Sequence, residues 1–255
     1  MKKTSNPKKL TPVVYDGCYW YKRDDWFEFN GARGGKVRAC LKMAKGQKGL
    51  VTYASRNSPQ QNYVSLVAEG LGIPCRTHTP HGAFMPEMDF AVAHGATIVQ
   101  HKPGYLNNLK RYAEDAACQR GWKFVPLSVE SLLAVDSTYK QVANLKHVGF
   151  KRIVVVTGGG ISLAGILWGM KRLKLRRPVV GVCIGRDPSS IINKYAPEGW
   201  RDMVKLVYPD LPYNRPVKEP VVGGITVDSY FEAKCIQFLR RGDLFWIVGI
   251  RPMEG

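Results

Sequence analysis

Ile153-Val154-Val155-Val156-Thr157-Gly158-Gly159-Gly160-Ile161-Ser162-Leu163-Ala164-Gly165 is an apolar run that breaks on three glycines and then resumes. Five β-branched residues bounded by glycine read as a strand buried on both faces, the kind found in parallel sheets. The residues after Gly160 read as a helix. Glycines in such a turn let successive backbone N–H groups converge on an anion, and the amino end of the helix adds favourable potential. Ser162 can add a hydroxyl. The spacing excludes two phosphate motifs: no Gly-Lys-Ser/Thr follows, and Ser162 and Leu163 fall where G-x-G-x-x-G needs its last glycine. Gly158, Gly159, Gly160 and Ser162 thus form either a phosphate cradle or a tight strand-to-helix connection.

Working outward, the same alternation recurs along the chain. Strands are expected at Leu50–Ala54, Cys75–His78, Thr97–His101, Ile153–Thr157, Val179–Ile184 and Leu244–Val248. Helices are expected at Ser58–Gly70, Met85–His94, Leu106–Arg120, Ser162–Leu173 and Thr226–Arg241. Short Val/Ile-rich runs between longer helical segments predict an α/β fold of open twisted sheets covered on both faces. Residues 49–146 hold a compact set of short strands and read as a smaller α/β domain. It is inserted in a larger domain made of 1–48 and 147–255. Ligands of such sheets bind in the crevice beyond the carboxyl ends of the strands.

With 255 residues, 45% hydrophobic and 23% charged, the composition excludes wholesale disorder, collagen and a disulfide-stapled mini-protein. The longest apolar stretch, Ile161 to Met170, is about half of the ~20 residues a bilayer span needs. No apolar segment follows the N-terminal lysines, so a soluble cytoplasmic protein without membrane contact is expected. The six cysteines form no C-x-x-C pair and read as free thiols. His78 and His81 lack a partner pair at ligand spacing, so they read as loop residues and no metal site is expected. Lys and Arg number 38 against 20 Asp and Glu, a formal charge of +18. Such a field attracts polyanions, or it serves solubility alone. Lys2, Lys3, Lys8 and Lys9 form a basic arm, and Lys171, Arg172, Lys174, Arg176 and Arg177 the densest cluster.

Two further tracts carry polar chemistry. In Asn30-Gly31-Ala32-Arg33-Gly34-Gly35-Lys36-Val37-Arg38 a lysine follows a glycine pair and opens an amphipathic run. Lys36 is either a solvated loop lysine or, if desolvated, an amine of lowered pKa able to bond an aldehyde. Ala54-Ser55-Arg56-Asn57-Ser58-Pro59-Gln60-Gln61-Asn62 leaves a strand and enters a helix. Its hydroxyls and amides suit a carboxylate. Ser58 followed by Pro59 equally suits simple N-capping.

The order of these tracts resembles the fold type II pyridoxal-phosphate enzymes, above all the aminocyclopropane-carboxylate deaminase and D-cysteine desulfhydrase branch. Gly34-Gly35-Lys36-Val37-Arg38 is similar to the family's lysine motif without its asparagine, and Gly158 to Gly165 to its phosphate cup. Residues 55–62 resemble the loop that grips the substrate carboxylate. Asp228-Ser229-Tyr230-Phe231-Glu232-Ala233-Lys234 resembles the segment whose acidic residue meets the pyridine nitrogen. Phe231 stands where the branch has a catalytic tyrosine.

The resemblance implies a two-domain fold, trimmed in size, with pyridoxal 5'-phosphate as cofactor and a homodimeric assembly. It implies Lys36 as the cofactor-linking lysine. Gly158, Gly159, Gly160, Ser162, Asn57 and Glu232 would hold the cofactor, and Ser55, Arg56, Ser58 and Gln60 the substrate. Enzymes similar to this family occur in bacteriophages that decorate thymine with amino-acid-derived groups. With the charge, this gives the leading expectation, a lyase, for instance a decarboxylase, acting at Cα of an amino acid carried on DNA. The alternatives are a deaminase or desulfhydrase of free amino acids, and a basic nucleic-acid-binding relative without catalysis.

Overall fold

The computed structural model describes residues 3–102 and 104–252. The chain opens with a hairpin, β1 (Val13–Tyr15) and β2 (Trp20–Arg23), followed by β3 (Glu28–Phe29) and β4 (Ala32–Gly34), which runs into α1 (Gly35–Ala44). The next stretch alternates β5 (Leu50–Tyr53), α2 (Pro59–Gly70), β6 (Cys75–Pro80), α3 (Pro86–Ala93), β7 (Ala96–His101), α4 (Leu106–Arg120) and β8 (Lys123–Val125). α5 (Leu132–Gln141) then leads to β9 (Ile153–Thr157), α6 (Ile161–Arg172), β10 (Val179–Cys183), α7 (Ser189–Tyr195) and β11 (Val204–Val207). A small ladder, β12 (Val221–Val222) with β13 (Ile225–Thr226), precedes a 3-10 segment, Glu232–Phe238, and the last strands β14 (Leu244–Ile247) and β15 (Gly249–Ile250).

Six strands form one sheet in the order β1-β2-β14-β9-β10-β11, parallel except at the β1–β2 hairpin. Four form a second, wholly parallel sheet in the order β7-β6-β5-β8. Ile153–Thr157 and β10 are buried throughout because helices cover both faces, which is why those strands read as unbroken Val/Ile runs rather than alternating ones. A small antiparallel sheet, β15-β4-β3, ties the end of the large sheet to the start of α1.

The expected elements lie within two residues of those observed, with one exception. Thr226–Arg241 is no single helix: Thr226 ends β13, and only Glu232–Phe238 is helical, as 3-10. The Asp228 carboxylate accepts the backbone N–H groups of Tyr230 and Phe231, both at 2.9 Å, and this local turn competes with an α-helix. A second finding concerns α5, a helix that the sequence reading did not single out. A Cβ on Gly165 would lie 2.6 Å from Thr138 Cβ, so the small face of α6 brings α5 close. Val142 and Leu145 join the core of the six-stranded sheet, while Ala134 and Val135 join the second core beside α1 and α2. The arm is docked: Lys3 pairs with Glu28 at 2.6 Å, and the backbone N–H of buried Thr11 donates to Gln141 at 2.8 Å. Lys2 lies outside the described residues. His78 sits within β6, not in a loop, its ring stacked on His101. All six cysteines are free, and among the described residues no helix is long and apolar enough to cross a membrane.

Candidate active site

Lys36 is placed by the two glycines before it. Gly34 has φ +119°, and a Cβ there would lie 2.6 Å from the Val248 carbonyl oxygen, where β4 meets β15. A Cβ on Gly35 would lie 2.5 Å from Asp24 Oδ2. Only glycine lets the chain pass between these groups. Asp24 is wholly buried with Arg38, which binds it through both terminal nitrogens and donates to Ser137 at 3.1 Å. Thr11 donates to the same carboxylate at 3.1 Å. This ion pair fixes the first turn of α1, and Lys36, at the second position of the helix, is turned toward a cavity instead of solvent. Its Nζ makes no hydrogen bond or ion pair among the described residues and lies 6.0 Å from the centre of the Phe231 ring. Burial holds the ammonium below the usual lysine range, opposed by the nearby Glu232 and Asp228.

The cavity has a volume of about 90 Å³, with further open space at its mouth. Gly158, Gly159, Gly160 and Ser162 line it together with Lys36 and Glu232. It lies beyond the carboxyl end of β9, where α6 begins. Gly160, the residue before the helix, has φ +88° and gives no side-chain cap. The first N–H groups of α6 therefore have no side-chain acceptor, and the positive end of the helix faces the cavity. A Cβ on Gly158 would meet nothing nearer than Phe231 Cε1 at 3.9 Å, so that glycine leaves a space a ligand can fill. Gly159 is pinned from behind, where a Cβ would lie 2.8 Å from Ser128 Oγ.

Glu232 closes the other side. Only 3% exposed, its Oε1 accepts from the N–H groups of Val248 and Gly249, both at 3.2 Å, while Oε2 has no hydrogen bond among the described residues. Burial, reinforced by Asp228, pushes this carboxyl well above the usual range. An amine and a carboxyl group thus face one cavity, with an uncapped helix terminus in its wall.

The polar tract behaves differently. Gln60 is committed internally: Nε2 donates to Thr52 at 2.8 Å and to Pro126 O at 3.0 Å, and Oε1 accepts from Tyr63 at 3.0 Å and from Ser128 N at 2.6 Å. Ser58 caps α2, accepting from Gln60 N at 3.3 Å. Arg56 donates to Ala83 O at 2.9 Å and lies against Gly82, and Ser55 donates to Asn57 at 3.2 Å. None of Ser55, Arg56, Asn57, Ser58 or Gln60 lines the cavity; Pro59 and Tyr63 from this region do. As a substrate contact Gln60 is corrected, since every polar atom of its side chain already has a partner. It positions the site by holding Ser128, which with Val129 adopts a left-handed backbone (φ +59° and +56°) rare for residues other than glycine.

Sequence reading gave no role to Ser128, Asp228 or Arg251, all of which line the cavity. Arg251 is 7% exposed, pairs with Glu87 at 3.0 Å and Asp228 at 3.3 Å, and lies 4.2 Å from the Tyr230 ring centre. It bridges α3 of the smaller unit to the turn before Glu232. Standing outside any pattern, it gives no sequence signal.

A scan of protein-family models finds no match, and a search of curated proteins finds none either. Solved structures do match. A homologue of ACC deaminase aligns at 21% identity over 97% of this chain and 90% of its own, with a TM-score of 0.77. The processed form of threonine deaminase isoform 2 from Solanum lycopersicum aligns at 14% identity over 94% and 83%, TM-score 0.64. A pyridoxal 5'-phosphate-dependent aspartate racemase aligns at 15% identity over 94% and 89%, TM-score 0.59. The chain has the fold of the type II pyridoxal-phosphate enzymes. At 255 residues it is a small version, matching 90% of the deaminase homologue's length while giving 97% of its own.

Proposed function

We propose that this chain is a pyridoxal-phosphate enzyme acting at Cα of an amino-acid substrate. The observation that carries the reading is the unpartnered Lys36 amine facing the same cavity as Glu232 and the uncapped amino end of α6. The residues fit the cofactor. Gly158 to Gly160, the first amides of α6 and Ser162 would hold its phosphate. The free oxygen of Glu232 would meet its ring nitrogen, and Lys36 would bind its aldehyde carbon. When bound, the group supplies an electron sink for charge left on the substrate's Cα.

Lys36 Nζ, whose pKa burial lowers, suits proton transfer at Cα. Phe231, which lies against it, carries no proton and cannot serve as a second acid or base. This asymmetry favours loss of a carboxylate: the Cα–carboxyl bond breaks, carbon dioxide leaves, its bonding pair stays on Cα and Nζ delivers one proton there. The formal charge of +18 supports a substrate amino acid carried on DNA, since Lys and Arg contacts to flanking phosphates strengthen such binding. A second reading, a deaminase or desulfhydrase of free amino acids, is supported by the likeness to the ACC deaminase homologue.

A visible absorbance band should form when the purified protein meets pyridoxal phosphate and be missing in Lys36→Ala. The holoenzyme should then release carbon dioxide from DNA bearing an aminoacylated base, seen as a mass loss of the base. An unchanged base beside turnover of free D-cysteine or aminocyclopropane carboxylate would establish the second reading instead.

A further inference from the structure

At the opposite end of α6 from the cavity lies a second concavity, of about 970 Å³, along the amino edge of the six-stranded sheet. Its rim carries Lys171, Lys174, Arg176, Arg177, Arg201 and Lys205, and Arg152 lies within it. Part of this charge has a local reason: Lys171 stands in the last turn of α6, where cations offset the helix dipole. That reason does not reach the rest. Arg176 and Arg177 belong to the loop before β10, Arg201 to the 3-10 turn Trp200–Asp202, and Lys205 to β11, so the fold converges cations from four separate segments.

Few of these charges are answered. Arg152 is neutralised by Asp243 at 2.9 Å, but none of the six rim cations forms an ion pair among the described residues, and only Arg201 acts on a more distant carboxylate, Asp187. Lys171 donates to a backbone carbonyl, that of Glu198, and Arg177 to that of Phe150. Arg201 stacks 4.5 Å from the Trp200 ring centre. Asp202 supplies the one carboxylate in the lining. The floor is formed in part by the buried Met170, Val179 and Val180; Leu175, Met203 and Val204 are half-buried and Pro178 is exposed, so no large apolar side chain stands out from the groove to enter a bilayer. A concave strip of unpaired Lys and Arg matches a rod of evenly spaced phosphates better than a flat lipid surface.

We infer that this groove binds the phosphodiester backbone of a nucleic acid. The α6 helix, 12 residues long, sets it ~18 Å from the glycine turn, so its phosphate contacts take no part in the chemistry there. The inference stands whether or not the cavity binds pyridoxal phosphate.

The test is fluorescence anisotropy with a short labelled DNA duplex over a salt series. It uses the full chain, Lys174→Ala/Arg176→Ala/Lys205→Ala, and a control with equal charge loss elsewhere, Lys8→Ala/Lys45→Ala/Lys48→Ala. Removing three phosphate contacts should weaken binding at least tenfold and lower the slope of log K against log salt by about 2.7. The control should retain most of the wild-type affinity. Circular dichroism and the melting temperature should match wild type in both, because every substituted side chain is exposed; if the triple variant unfolds, Arg176→Ala alone should lower the slope by about 0.9. Equal losses in the two triples would show an unlocalised field and overturn the inference. So would absence of duplex binding, or binding to phosphatidylserine vesicles as tight as to DNA and lost in the same variant.

Discussion

The amino ends of α6 and α2 occupy equivalent places in the two sheets, each receiving a parallel strand, β9 and β5, yet one is open and the other sealed. At α6 the preceding residue is glycine, no side chain caps the helix, and the first amides face a cavity. At α2 Ser58 accepts the Gln60 N–H, Pro59 brings no N–H at all, and Gln60 folds inward onto Thr52, Pro126, Tyr63 and Ser128. A helix terminus holds a ligand anion only where the protein has not already satisfied it. On the proposed reading the open end binds; the sealed end supports, because Gln60 fixes Ser128 behind Gly159.

Four substitutions sharpen or break this contrast. The largest effect is expected at the open end: Gly158→Asp puts a carboxylate into the space where phosphate would rest. It should lower pyridoxal-phosphate affinity at least about 100-fold by like-charge repulsion. The melting temperature should move little, because the added Cβ has room. Absorbance titration and a thermal melt check both halves. At the sealed end Gln60→Ala strands the Ser128 N–H and the Tyr63 hydroxyl, and should cost about 2–3 kcal/mol of stability in a urea melt. Ser162→Ala should weaken cofactor binding about tenfold without a comparable loss of stability. The smallest effect is Ser58→Ala, about 1 kcal/mol of stability from the lost cap, with cofactor affinity unchanged. A tenfold affinity loss in Ser58→Ala would erase the distinction between the two ends.

The contrast also shows what the sequence discloses. Ile153–Thr157 and the glycines after it were legible because a doubly buried strand and an uncapped turn leave local marks. Lys36 was legible as a candidate only: its neighbours Gly34 and Gly35 are set by Val248 and Asp24, residues far along the chain or across a turn. In the tract 55–62 the inward turn of Gln60 left no mark, because glutamine looks alike in sequence whether it faces a ligand or the interior. Arg251 and Ser128 enter the site through tertiary contacts, and the Asp228 turn overrode the helical pattern of Thr226–Arg241. The helix α5 has its own signal, Ser131 capping Ala134 N at 3.1 Å, a weaker mark than the glycine-bounded runs.

The central claim is that Lys36 alone, of the chain's many amines, bonds the cofactor aldehyde. Incubation with equimolar pyridoxal phosphate, borohydride reduction and peptide mass mapping across a pH series test it directly. The account predicts a single phosphopyridoxyl group on the peptide containing Lys36, with labelling that sets in at lower pH than at exposed lysines because burial lowers its pKa. Label scattered over surface lysines, or its main site at Lys234 or Lys22, would contradict it.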